Sequence, residues 1–332
     1  MKDKINNQKK ILHYILLSLS LGLLVALGFY IYKNQATFQK IKDINLGIIF
    51  LLIGLHAFNY LLLGLSHRYP LLKHDIKLKF IEWYGLCTIS DVFNLLLPAS
   101  GGTAIRIMYI NKKKKLAMGN ILSMSLATVM VGIMLLGVAG SIYFHLHDNH
   151  QSKLFFALKM FFLATIVGSL LTVFASDYIL KILKKEKKYD LKQYIFDKDI
   201  FINSLLCYVG MLAIHPLKVY LSFKAIDVDI SVMSSIEISL MLLCSSFFQI
   251  LPGNMGIREL TTAYVAQQYG IQFETALLAS LVDRAILLLF LFPFGAYFYW
   301  RLFLNAILPD ISLAKIGASS RIPLIKRLVN ER

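Results

Sequence analysis

Apolar residues in this sequence gather into blocks separated by short polar stretches: 11–32, 46–66, 80–97, 121–144, 154–175, 200–221, 236–251 and 276–300. A helix of about 20 residues spans a hydrocarbon core of ~30 Å, so six of these blocks are long enough to cross a bilayer. The other two, 80–97 and 236–251, are shorter, and each ends at a proline, Leu97-Pro98 and Leu251-Pro252. The pattern predicts an all-α polytopic membrane protein.

The polar stretches set the expected topology. Cytoplasmic loops carry an excess of Lys and Arg. The tail 1–10 (Lys2, Lys4, Lys9, Lys10), the loop 67–79 (Arg68, Lys73, Lys77, Lys79), the run Lys112 to Lys115, the loop 181–198 and the tail 305–332 are all basic. Six full crossings with 80–97 as a seventh would put the lysine run outside. If 80–97 enters from the cytoplasm, breaks at Pro98–Gly102 and returns, the run lies inside. A matching break at Pro252–Gly256, entered from the outer face, then brings the C-terminal tail inside. The expected fold has about six spanning helices plus two broken, re-entrant hairpins, within a body from 11 to 304 between two basic cytoplasmic tails. Lys33, Lys40 and Lys42 on an expected outer loop run against this order.

Composition narrows the class. Hydrophobic residues make up 57% of the 332 and charged residues 16%, against about 25% charged in soluble domains, which leaves too little polar surface for a water-soluble module. The net charge of +16 sits between the apolar blocks, where it orients the chain and attracts anionic head groups; no basic face on a soluble fold points to nucleic acid. Cys87, Cys207 and Cys244 fall in apolar blocks and read as small buried hydrophobes. The eight histidines form no metal-ligand motif and the chain lacks a phosphate-binding GxxxxGK[ST] loop, so no metal, cofactor or ATP is expected. Transport would run down a gradient or by facilitated diffusion.

The two breaks resemble each other. One reads Phe93-Asn94-Leu95-Leu96-Leu97-Pro98-Ala99-Ser100-Gly101-Gly102-Thr103-Ala104-Ile105-Arg106; the other reads Phe247-Phe248-Gln249-Ile250-Leu251-Pro252-Gly253-Asn254-Met255-Gly256-Ile257-Arg258-Glu259. Phe stands five before each Pro, Leu one before, Gly four after, and an Arg follows. Proline removes a backbone donor and stops a helix. Gly101, Gly102, Gly253 and Gly256 permit angles other residues avoid, and main chain freed at such a break must face protein or a wet cavity. A half-helix starting there presents partial positive charge, and Arg106 or Arg258 adds a permanent cation able to fork onto a phosphate. The repeat would be inverted, the two halves forming one anion site near mid-membrane.

At these residues the chain resembles the lysylphosphatidylglycerol synthase transmembrane-region family, also called the flippase-like domain family. Leu251 to Glu259 is similar to its L-P-G-G-x-G-x-R-E signature, and Pro98, Gly102 and Arg106 match its earlier Pro-x3-Gly-x3-Arg element. Thr103 stands where that element often carries an acidic residue. The resemblance covers roughly 10–305 and implies a lipid-translocating domain of the cytoplasmic membrane, here expected to stand alone without the family's aminoacyl-transferase domain. Its substrate would be an anionic phospholipid or a polyprenyl-linked lipid, with a homo-oligomer or a lipid-modifying synthase as expected partners.

Ionisable residues inside apolar blocks read as functional by default. Asp283 and Arg284 adjoin in the last block, but neighbours point to different helix faces, so each needs a partner elsewhere. Glu259 either receives a basic lipid group or balances the arginines. Glu82 and Asp91, nine residues apart, are ~13 Å apart by helix rise, too far to work as a catalytic pair. His56 reads as a packed, hydrogen-bonded histidine and His215-Pro216 as a kink. The leading expectation is a flippase binding lipid phosphate through Arg106 and Arg258, with Arg284 along the path. Arg258→Ala is expected to stop transport at normal protein level. The alternatives are a membrane-embedded sugar or phosphate transferase and a non-transporting accessory subunit.

Overall fold

The computed structural model describes residues 44–97, 101–146, 153–182, 191–246 and 252–304. The first apolar block, both tails and Pro98 lie outside these residues. Helices make up the described chain, with no strand among them. In order they are α1 (Leu46–Leu72), α2 (Phe80–Leu96), α3 (Gly102–Lys114), α4 (Met118–Leu146), α5 (Lys153–Ile182), the single turn α6 (Lys192–Ile195), α7 (Lys198–Lys224), α8 (Val232–Ser245), α9 (Ile257–Gln267) and α10 (Phe273–Tyr299). Five stretches are long and apolar enough to cross a membrane: Leu46–Leu72, Met118–Leu146, Phe156–Ala175, Lys198–Lys224 and Phe273–Phe303. These coincide with the expected spans within a few residues at each end. The expected sixth, 11–32, lies outside the described residues.

Side-chain caps start several of these helices. Asn45 Oδ1 accepts the Gly47 N–H at 2.7 Å, Asp197 Oδ1 that of Ile200 at 3.2 Å, and Ser231 Oγ that of Ser234 at 3.0 Å. Each cap fills an orphan donor at a helix start.

The two short blocks form helical hairpins. In the first, α2 runs in and α3 runs back, so that the lysines ending α3 reach the start of α2. Lys114 Nζ lies 3.2 Å from Glu82 Oε1, and Tyr109 of α3 donates to the same oxygen at 2.9 Å. Glu82 is therefore a clasp for the lysine run. In the second hairpin α8 runs in and α9 returns, and Tyr269, just past α9, donates to Glu237 near the start of α8. Each hairpin is thus closed at its mouth by a buried glutamate and a tyrosine from the returning arm.

The mouths open on opposite faces. Lys73, just past α1, pairs with Asp197, which starts α7, at 2.9 Å, and donates to Gln193 O at 2.8 Å. The loop after α1, the mouth of the first hairpin and the start of α7 therefore share one basic face. At the opposite end of α7, Lys224 pairs with Asp229 in the loop leading to α8. There Tyr143, near the end of α4, donates to Met233 O of α8 at 3.1 Å. α10 is the central strut. It packs on α2 (Tyr84 and Phe298 ring centroids 5.6 Å apart), on α1 (Tyr60 and Phe290, 5.6 Å) and along α9. Leu278 and Ala279 near its N-terminal end are fully buried.

Candidate functional site

The two breaks meet inside the helix bundle. After Pro252 the chain makes one tight turn in which Gly253 (φ 59°), Asn254 (φ 54°) and Gly256 (φ 84°) all take left-handed angles. Asparagine is the side chain that most readily joins glycine there, which explains how Asn254 fills the second Gly position of the signature. The turn lies against the end of α2: a Cβ on Gly253 would come within 2.6 Å of Leu95 Cδ2 and 3.4 Å of its Cα. Gly102 is needed for space, since a Cβ there would sit 1.8 Å from Ser90 O on the facing helix. Gly101 has ordinary helical angles (φ −57°, ψ −23°), so the freedom expected of it is not used.

The charged residues around the second break pair across helices. Arg258 of α9 bonds Asp283 of α10, and Arg284 Nε donates to Glu259 Oε1 at 3.0 Å. Adjacent residues on one helix thus reach adjacent residues on the other in two parallel pairs, as their divergent directions require. Arg284 Nη1 also donates to Gly253 O at 2.9 Å, and Glu259 Oε2 accepts the Gly256 N–H at 2.8 Å. His56 Nε2 of α1 lies 3.1 Å from Asp283 Oδ1. Glu259 therefore balances an arginine and caps α9, the second of the two roles expected of it.

The first break is tied down in the same way. Tyr60 donates to Asp91 Oδ2 at 2.6 Å, Asn94 Nδ2 to Asp91 Oδ1 at 3.0 Å, and the Gly102 N–H to Asn94 Oδ1 at 2.8 Å. One N–H at each helix start expected to hold phosphate is already taken, that of Gly102 by Asn94 and that of Gly256 by Glu259.

Between these networks lies a cavity of about 200 Å³. Its walls include His56, Tyr60 and Asn59 of α1, Asp91 and Asn94 of α2, His215 and Lys218 of α7, Asn254, Arg258 and Arg284. Lys218 is 4% exposed and lines the cavity; none of the hydrogen bonds or ion pairs among the described residues involves its ammonium, which the Asp283 carboxylate, already held by Arg258 and His56, attracts only at longer range. Arg258 Nε, Arg284 Nη2 and Asn254 Oδ1 are likewise buried without a partner among the described residues. An ammonium held out of water without a close counter-ion is expensive, and a cavity that places one beside two guanidinium groups is chemically suited to an anion.

Arg106 does not share this cavity. It is 8% exposed, its Nη1 lies 4.0 Å from Cys87 Sγ, and it lines a separate space of about 20 Å³ beside His67. That is room for about one water molecule, too little for a lipid phosphate. Arg106 and Arg258 therefore line different cavities, and the cation that shares one with Arg258 and Arg284 is Lys218. Sequence reasoning passed over Lys218 and Asn94 and weighed Asp91 only as a partner for Glu82; the signal for Lys218 was a lysine six residues from the end of a spanning helix, which reads as interfacial until α7 is placed. His56 is packed and hydrogen-bonded as expected, Pro216 lies within a continuous helix, and the three cysteines are free and buried.

No curated protein and no solved structure matches the chain significantly. The family described as the lysylphosphatidylglycerol synthase TM region matches residues 14–295, a stretch that holds both breaks, both arginine–carboxylate pairs and Lys218. A helical bundle whose two interrupted hairpins meet at one cationic cavity belongs, by that match, to the lysylphosphatidylglycerol synthase TM-region family.

Proposed function

We propose that the protein moves an anionic phospholipid or a lipid-linked glycan across the cytoplasmic membrane, with the lipid phosphate held in the cavity by Lys218 and Arg258. The observation that carries this reading is the buried ammonium of Lys218, without a partner among the described residues, in a cavity between two hairpins that open on opposite faces. A phosphodiester entering there gains charge-assisted hydrogen bonds, each of ~1.5–3 kcal/mol, and relieves the cost of the unpaired cation. A site reached by one hairpin from each side is the arrangement alternating access requires.

Binding fits the cavity better than catalysis. Glu259 and Asp283 accept from Arg284 and Arg258, and Asp91 accepts from Tyr60 and Asn94, so all three carboxylates are engaged in holding the walls of the site. On this reading the basic face of the bundle is cytoplasmic, and a lipid-modifying synthase would supply the substrate.

The test uses the purified protein in phosphatidylcholine vesicles carrying a head-group-labelled phosphatidylglycerol, with quencher added outside. Wild-type protein exposes label from the inner leaflet. Lys218→Met, which keeps the length of the side chain but removes its charge, weakens phosphate binding by about 10- to 150-fold for the loss of one such bond, and label exposure falls accordingly. The same variant unfolds no more easily than wild type, because it removes an unpaired buried charge. Transport by Lys218→Met at the wild-type rate overturns the proposal.

A further inference from the structure

A second cavity, also of about 200 Å³, lies between α4, α7 and α8. Its lining is almost wholly apolar, with Ile133 and Leu136 from α4, Met211 and Leu212 from α7, and Leu243 from α8. It shares His215 and Ser246 with the cationic cavity, so the two adjoin at those side chains. Val129, another lining residue, is 42% exposed, which brings the cavity to the apolar outer surface of α4. Away from Tyr208, His215 and Ser246 the lining gives water no polar partner, so that part of the cavity does not hold ordered water. Hydrocarbon fills it at no such cost.

We infer that this second cavity is the subsite for one hydrocarbon chain of the lipid whose phosphate lies beside Lys218. The inference rests on the phosphate site proposed above and deepens it: a charged compartment joined to an apolar one fits an amphiphile, whereas a soluble phosphate uses only the first. The opening beside Val129 gives the chain a lateral way in from the bilayer, so the head group enters the polar cavity while its tail stays in an apolar medium.

The full chain in phosphatidylcholine nanodiscs doped with phosphatidic acid carrying a diazirine on its acyl chain provides the test. After illumination, crosslinks are expected on Ile133, Met211 and Leu212, and unlabelled phosphatidic acid should compete them away. Crosslinks on the outward-facing Leu206 and Val209, which are 63% and 46% exposed, should be insensitive to that competitor. Leu212→Trp fills the cavity and should abolish the interior crosslinks. Protection of Lys218 from an amine-reactive reagent by inorganic phosphate reports the polar compartment separately. Crosslinks confined to Leu206 and Val209, or interior crosslinks that no competitor reduces, overturn the chain subsite while phosphate protection of Lys218 leaves the first site standing. If neither inorganic phosphate nor phosphatidic acid protects Lys218, the phosphate site itself fails and the chain subsite falls with it.

Discussion

Asp283 holds two partners at once, and the consequences of removing it are unequal to those of removing Arg258. Asp283→Asn leaves the Arg258 guanidinium, whose Nε already has no partner among the described residues, without its counter-ion. Breaking a buried pair in this way costs about 3–5 kcal/mol; the Arg258 side chain is 21% exposed, so the lower end applies. Arg258→Met leaves Asp283 buried at 6% exposure but still 3.1 Å from His56 Nε2, whose N–H donates to the carboxylate and keeps one of its oxygens satisfied. Arg258→Met is therefore the milder single change. The double variant strands neither group and should cost less than the sum of the singles by roughly 2–3 kcal/mol, within the range of directly coupled neighbours. The measurement is reversible unfolding of purified protein in mixed micelles, followed by helical circular dichroism, for wild type, both singles and the double. Additivity within about 0.5 kcal/mol would refute an energetically coupled pair. The same reasoning changes what is expected of Arg258→Ala: protein level falls together with transport, so Lys218 is the cleaner probe of the phosphate site.

Three further outcomes are expected. Gly102→Ala forces a Cβ to 1.8 Å from Ser90 O and should destabilise the protein by at least ~1–3 kcal/mol, whereas Gly54→Ala, with nothing within 4 Å, should stabilise α1 by ~0.5–1 kcal/mol; thermal unfolding separates the two signs. His74, bonded to Tyr194 at 2.7 Å, has its pKa lowered from the ordinary imidazole value by burial and then by Lys73. The unfolded chain therefore binds a proton more readily, so stability should fall as pH drops from about 6.5 through the lowered folded value; a melting series on wild type and His74→Gln should show the fall shrink in the variant. Because the native cysteines are buried, single cysteines at Lys113 and Asp229 should react with an impermeant maleimide from opposite sides of sealed vesicles, and reaction from the same side would refute the opposed hairpin mouths.

Much of this architecture is legible in one dimension. Apolar blocks of spanning length fix the helices because lipid leaves the backbone no alternative to satisfying its own hydrogen bonds, and Phe93 to Arg106 and Phe247 to Glu259 announce two breaks through proline and glycine chemistry that is local. The lysine run Lys112 to Lys115 forces the first hairpin by the cost of placing it on the wrong face. What local chemistry leaves open is which charge meets which. Asp283 and Arg284 declare that they need partners, yet only the packing of α9 on α10 supplies Arg258 and Glu259, and only the approach of α1 adds His56. The two arginines that align in sequence part in space, because Arg106 follows Gly102 by one helical turn and points back at Cys87. Lys218 reads as an end-of-helix lysine until the packing of α7 on α1, α8 and α10 brings it to the cavity. Electrostatic partnership between residues far apart in the chain is a property of distance after folding, and the sequence records only that the charges exist.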